Sequence, residues 1–156
     1  MSALDRQIEG THYKQFPIQP VELIAANGYD YFIGNILKYV CRWRFKGGLS
    51  DLQKALHYAE LRRDIALHRH ESPVVDRVER IIARLWHWRM CIAKSPEKRF
   101  PISMNTFVEV NDIPPYDDHI LYALDQWHRR MISADQFIVT LRTFIRVQFP
   151  DVERSP

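Results

Sequence analysis

Apolar residues recur at intervals of three and four along most of the chain, the period that gathers them on one side of an α-helix. Ile33, Ile36, Leu37 and Val40 set this rhythm in the first half, and Leu, Ile, Trp and Phe keep it in the second. Punctuation between the periodic stretches divides them into helices. Pro20 suits the first position of a short helix over 20–26, because its missing N–H costs nothing there, and Asn27-Gly28 ends it. A longer helix is predicted over 31–45, stopped where Gly47-Gly48 lets the chain turn without a β-carbon penalty. Ser50 and Gln53 have capping-box spacing and open a third helix to about residue 70. Ser72-Pro73 supplies an N-cap and a first-turn proline for a fourth, reaching about residue 93.

The rhythm breaks over 94–118, where Pro96, Pro101, Pro114 and Pro115 interrupt it and residues 105–110 are β-prone, so a connector with one extended piece is expected. It returns over 119–131 and again after a second capping box, Ser133 and Gln136, until Pro150. The expected fold is all-α for the most part: a helical hairpin core, an appended helical region and at most one short extended segment. Residues 1–72 form one helical unit on this reading. Residues 73–156 form an extension, either separate or packed into the same domain.

Composition narrows the class. With 156 residues, 46% hydrophobic and 26% charged, the chain has an ordinary globular make-up and enough length for a real core. Cys41 and Cys91 have no C-x-x-C spacing, which suggests neither a zinc cluster nor a disulfide framework and fits a reducing, cytoplasmic setting. No apolar run approaches the roughly 18 residues of a membrane span. The formal charge is only +3, but residues 38–63 hold seven bases against two acids. Such a concentration suits a phosphate-bearing ligand, while the plain alternative is a solvated helix face.

At about 100° per residue, Asn35, Lys38, Arg42 and Lys46 fall within roughly 80° of one another, with Tyr39 alongside, opposite the apolar side of their helix. In the next helix Asp51, Lys54, Tyr58 and Arg62 share one stripe. A tight Gly-Gly turn makes the two helices antiparallel neighbours. Facing stripes would form a cleft of cations, an amide, a tyrosine and an acid, an inventory that grips phosphates; stripes turned to solvent would hold only weak intrahelical pairs.

Several rarer elements occur here in order: His12-Tyr13-Lys14, Pro20-x-Glu22-x-Ile24, Gly34-Asn35-Ile36-Leu37-Lys38-Tyr39-x-x-Arg42, Lys46-Gly47, and Asp51-Leu52-x-Lys54-Ala55-x-x-Tyr58. Over about residues 11–65 the chain thereby resembles a family of small phage proteins, the nucleotide kinase of T-odd coliphages and its relatives. The resemblance implies a phage-encoded nucleotide-handling protein of the infected bacterial cytoplasm, a (deoxy)nucleoside monophosphate kinase that uses Mg-ATP without a Walker motif. No G-x-x-x-x-G-K-[ST] occurs in the chain, in keeping with this. Lys38, Arg42 and Asp51 are then the expected catalytic residues. His12, Tyr13, Asn35, Lys38, Arg42, Lys46, Lys54 and Tyr58 are the expected nucleotide contacts, with Glu22 and Asp51 as candidates to hold Mg²⁺. The alternative is a module that binds or sequesters a nucleotide or nucleotide signal, or that binds a host protein, without turnover.

Other constellations are weaker. His68-x-His70 has the wrong spacing for one helix face, and no H-E-x-x-H occurs. Glu60 with Asp64 and Asp76 with Glu79 have the spacing of the paired acids in all-α nucleotide pyrophosphohydrolases, a spacing that chance supplies often. Cys41 lies near Lys38 and Arg42, which would lower its pKa if it were exposed. Nucleic acid is the disfavoured partner, since a long helix follows Gly48 where a helix-turn-helix needs a compact pair. From Pro73 onward 12 bases balance 11 acids and three of the four tryptophans appear, which suits a cap over the hairpin or a homo-oligomer surface.

Overall fold

The computed structural model describes residues 13–70 and 101–151. Among them are six helices and no strand: α1 (Pro20–Asn27), α2 (Tyr31–Arg42), α3 (Leu49–His70), α4 (Met104–Val110), α5 (Pro115–His128) and α6 (Ala134–Gln148). His12, the helix expected over 73–93, Trp86, Trp88 and Cys91 lie outside the described residues.

Local chemistry explains where the helices begin and end. Pro20 opens α1, where the Gln19 N–H donates to Glu22 Oε2 at 2.8 Å, and Gly28 ends it with a left-handed φ of 62°. Asp30 caps α2, one carboxylate oxygen accepting from the N–H groups of Phe32 and Ile33, both at 2.9 Å. The 31–45 helix expected from periodicity stops at Arg42. Beyond it the Phe45 N–H turns back to the Arg42 carbonyl and the Gly48 N–H to Trp43, tightening the chain into the glycine turn. Gly48, at φ 50°, leads directly into α3, so Ser50 lies inside the first turn of that helix and not at its cap.

Two expectations in the second half are corrected. The β-prone stretch at 105–110 is helical, because Ser103 caps it through the Thr106 N–H and Met104, Phe107 and Val108 share one buried face. That tertiary burial overrides the strand propensity of Val and Phe. The helix expected from residue 119 starts at Pro115, with Asp117 and Asp118 complementing the positive end of its dipole, and ends at His128. The capping box at Ser133 and Gln136 forms as expected, with reciprocal bonds of 2.8 and 3.1 Å.

The α2–α3 hairpin is the centre of the molecule. α1 and α5 pack on α2, α6 packs on α3 and α5, and α4 on α5. Leu23, Ile33, Ile36, Leu37 and Leu52 from the hairpin side share one core with Phe107, Leu121, Leu124, Phe137 and Leu141. Each such side chain stabilises the fold by about 1.5–3 kcal/mol when fully buried. Polar ties fix the second half to the first. Arg44 grips the buried Asp117 with two bonds of 2.7 and 2.9 Å, the Tyr29 hydroxyl donates to Asp125 at 3.1 Å, and Asn111 both accepts from and donates to the Ile18 backbone at 3.0 Å. Helices 104–148 thus cover the apolar side of the hairpin, which leaves the opposite side of α2 and α3 outward.

Candidate functional site

That outward side carries the two polar stripes, and they meet. α2 turns Asn35, Lys38, Tyr39 and Arg42, all half-buried, to this side because Ile33, Ile36, Leu37 and Val40 take the buried positions. α3 brings Asp51, Lys54 and Tyr58 against them, because Leu52, Ala55 and Ala59 are buried. The antiparallel register shows in the contacts. Arg42 pairs with Asp51 at the turn, the Tyr39 and Tyr58 rings stack 5.9 Å apart at 24°, and Arg62 reaches Asp30 at 3.0 Å at the far end.

Tyr39 is the hub. Lys38 Nζ lies 4.4 Å from its ring centroid, the Arg42 guanidinium carbon 5.0 Å and Lys54 Nζ 5.7 Å. A ring face attracts each cation by about 0.5–1 kcal/mol at such semi-exposed positions, which offsets part of their mutual repulsion. Asn35 links the cluster to the start of α2, accepting from Lys38 at 3.2 Å and donating to the Tyr31 carbonyl at 2.8 Å. The Tyr31 and Tyr58 hydroxyls lie 3.3 Å apart, and that contact is the main reason the Tyr58 hydroxyl is pushed up to about 12.

Asp51 anchors the floor. Its carboxylate is fully buried and accepts from Arg42 Nε at 2.8 Å and Nη2 at 2.6 Å, with Lys54 Nζ at 3.5 Å. Burial alone would raise its pKa; the Arg42 hydrogen bonds and charge, helped by Lys54, win and hold the carboxyl below the usual value. Tyr13 backs this pair from the N-terminal segment, its hydroxyl beside the Arg42 guanidinium and pushed up to about 12 by burial. Cys41 is buried, and burial raises its thiol where bases beside an exposed cysteine would lower it.

The expected residues therefore separate into groups. Asn35, Lys38, Arg42, Lys54 and Tyr58 come together with Asp51, while Tyr13 supports them from within. Lys46 is exposed in the glycine turn and makes no contact with the Tyr39 ring. Glu22 is on α1, occupied by the Gln19 N–H, and Asp51 is committed to Arg42. Among the described residues no group of three or more His, Cys, Asp or Glu could hold a metal ion. Of the alternative acid pair, Glu60 accepts from Arg142 and Asp64 from Arg63. Tyr39 and Tyr31 were missing from the expected contacts, though their spacing held the signal: Tyr31, Asn35, Tyr39 and Arg42 follow one another at four, four and three residues. No helix among the described residues is long and apolar enough to cross a membrane.

Residues 9–60 match a family described as a protein of unknown function, DUF3310, a segment that contains α1, α2 and the part of α3 bearing Asp51, Lys54 and Tyr58. No curated protein and no solved structure matches the chain.

Proposed function

We propose that this protein handles phosphorylated nucleotides at the α2–α3 face and, most concretely, that it is a phage (deoxy)nucleoside monophosphate kinase without a Walker motif. The observation that carries the reading is the convergence of Lys38, Arg42 and Lys54 on one tyrosine ring, with a single buried carboxylate among them. Excess positive charge held by aromatic and amide groups suits phosphate oxygens, each charged hydrogen bond contributing about 1.5–3 kcal/mol.

In such a reaction an ionised oxygen of the acceptor monophosphate attacks the γ-phosphorus of ATP. The bond from that phosphorus to the β-bridging oxygen breaks, and ADP leaves with the electron pair. The attacking oxygen carries no proton, so no general base is required, and the protein's work is positioning and charge stabilisation. Lys38 and Lys54 take the phosphates, Asn35 orients the sugar or a phosphate oxygen, Tyr58 and Tyr39 offer ring faces to the base, and Lys46 lies at the rim. Asp51 acts as a positioning residue that holds Arg42 in place. Mg²⁺ on the ATP phosphates would spread part of their charge during the transfer.

The pairing of Asp51 with Arg42 equally favours a second reading, binding without turnover. A coupled assay with each deoxynucleoside monophosphate and Mg-ATP separates them. Diphosphate formation that falls to background in Lys38→Ala and Lys54→Ala supports the kinase. Calorimetric binding of the same nucleotides without product supports the sequestering module, and neither turnover nor binding removes both.

A further inference from the structure

The two ends of the α2–α3 face differ in chemistry. Lys38, Arg42 and Lys54 gather around Tyr39 toward the glycine turn. Toward the open end of the hairpin Arg62 pairs with Asp30 at 3.0 Å, so that end presents no excess charge. Its outermost ring is Tyr31, the first residue of α2 and 67% exposed. An exposed tyrosine ordinarily keeps its rotamer freedom, but this one is held in place. Its hydroxyl lies 3.3 Å from that of Tyr58, its ring meets the Tyr58 ring at 5.8 Å and 72°, and the Phe32 ring meets it at 5.6 Å and 81°. A ring that is both open and restrained loses little entropy when a second ring stacks on it.

Tyr31, Asn35 and Lys38 fall within about 60° of one another on α2, separated by about 6 Å and then about 4.5 Å along its axis. Asn35 joins the two ends, donating to the Tyr31 carbonyl at 2.8 Å and accepting from Lys38 at 3.2 Å. We infer that Tyr31 binds the base and is the residue by which this face tells a nucleotide from a sugar phosphate. The base of a deoxynucleoside monophosphate stacks on the Tyr31 ring with its inner edge toward Tyr58, the sugar lies over Asn35, and the phosphate reaches Lys38 and Lys54. Aromatic ring, amide and cation thus follow the order of base, sugar and phosphate. The reverse direction would set a dianionic phosphate beside Asp30 and the base among three cations, which electrostatics disfavours. The inference rests on the nucleotide reading and adds to it the direction of the nucleotide along α2 and the residue that senses its base.

Isothermal titration calorimetry of the full chain tests it, with thermal unfolding confirming that each variant folds. The probes are the four deoxynucleoside monophosphates and 2-deoxyribose 5-phosphate, the same sugar phosphate without a base. Tyr31→Ala should weaken nucleotide binding about tenfold or more and leave the sugar phosphate unchanged. Tyr31→Phe keeps the ring face and should stay near the wild-type value, whereas Lys38→Ala should weaken both kinds of probe. Loss in Tyr31→Ala with recovery in Tyr31→Phe supports the assignment even if the sugar phosphate alone binds too weakly to detect. Nucleotide binding that Tyr31→Ala leaves unchanged, or an equal loss of both kinds of probe in that variant, overturns the role of Tyr31 while the nucleotide reading stands. No binding of any nucleotide to the wild type overturns both.

Discussion

Gly47 sits so close over the Asp51 carboxylate that a β-carbon on it would overlap all three carboxylate atoms. The carboxylate cannot step aside, since two bonds from Arg42 hold it in a fully buried position. Gly47→Ala is therefore expected to break the Arg42–Asp51 pair, not merely to stiffen a turn. The expected cost is about 3 kcal/mol, the low end for breaking a buried pair, because Arg42 keeps an edge in solvent. A urea midpoint within error of wild type would show that the turn yields instead.

The same pair sets an acid dependence. Asp51 has a folded pKa below its unfolded value of 3.8, so its contribution is fully present above that value and is lost as pH falls through the folded pKa. The difference in unfolding free energy between wild type and Asp51→Asn should be largest near neutral pH and shrink below about pH 4. A constant difference from about pH 7 to about pH 2 would mean that the carboxylate charge contributes nothing specific.

Lys38 and Arg42 both touch the Tyr39 ring but should behave differently when removed. Lys38 donates to the Asn35 amide oxygen at 3.2 Å and lies over the Tyr39 ring without a buried counter-ion of its own, so Lys38→Ala should leave the melting temperature nearly unchanged while weakening binding of a deoxynucleoside monophosphate about tenfold or more. Arg42→Ala leaves Asp51 buried without its main partner and should lower both binding and stability. Paired calorimetry and thermal unfolding read the contrast; equal stability losses would mean that both residues are structural.

Asn111 tests how the N-terminal segment is held. Its side chain satisfies the N–H and the carbonyl of Ile18 together, both at 3.0 Å. Asn111→Ala should cost about 1–3 kcal/mol, since it strands two backbone groups. Asn111→Asp keeps the acceptor and loses the donor, so it should retain part of that loss. Chemical denaturation of the two variants orders them; a more stable alanine variant would contradict the bridge.

Much of this architecture was legible in the chain. Pro20 marks a helix start because it has no N–H to leave unpaired, and Ser133 with Gln136 marks one through bonds made within three residues, so the local sequence contains both partners. The 3.6-residue rhythm of Ile33, Ile36, Leu37 and Val40 fixed which side of α2 is buried and hence which carries Asn35, Lys38 and Arg42. Residues 105–110 misled because strand propensity is a local preference, whereas Phe107 gains its stabilisation from burial that exists only once α4 packs on α5.

What the sequence determined by itself was a set of helices, their apolar faces and a cationic stripe on each arm of a hairpin. Only the tertiary structure decided that the stripes converge, because the rotation of α3 about its axis is set by packing against α2 and α6 and by the φ of Gly48, none of which periodicity specifies. It also decided what the acid does. Asp51 was expected as a catalytic residue and a candidate to hold Mg²⁺, and the reach of Arg42 across the turn gives it a buried counter-ion. Spacing fixes the face on which a side chain lies, while its partner depends on distances that exist only once the helices have packed.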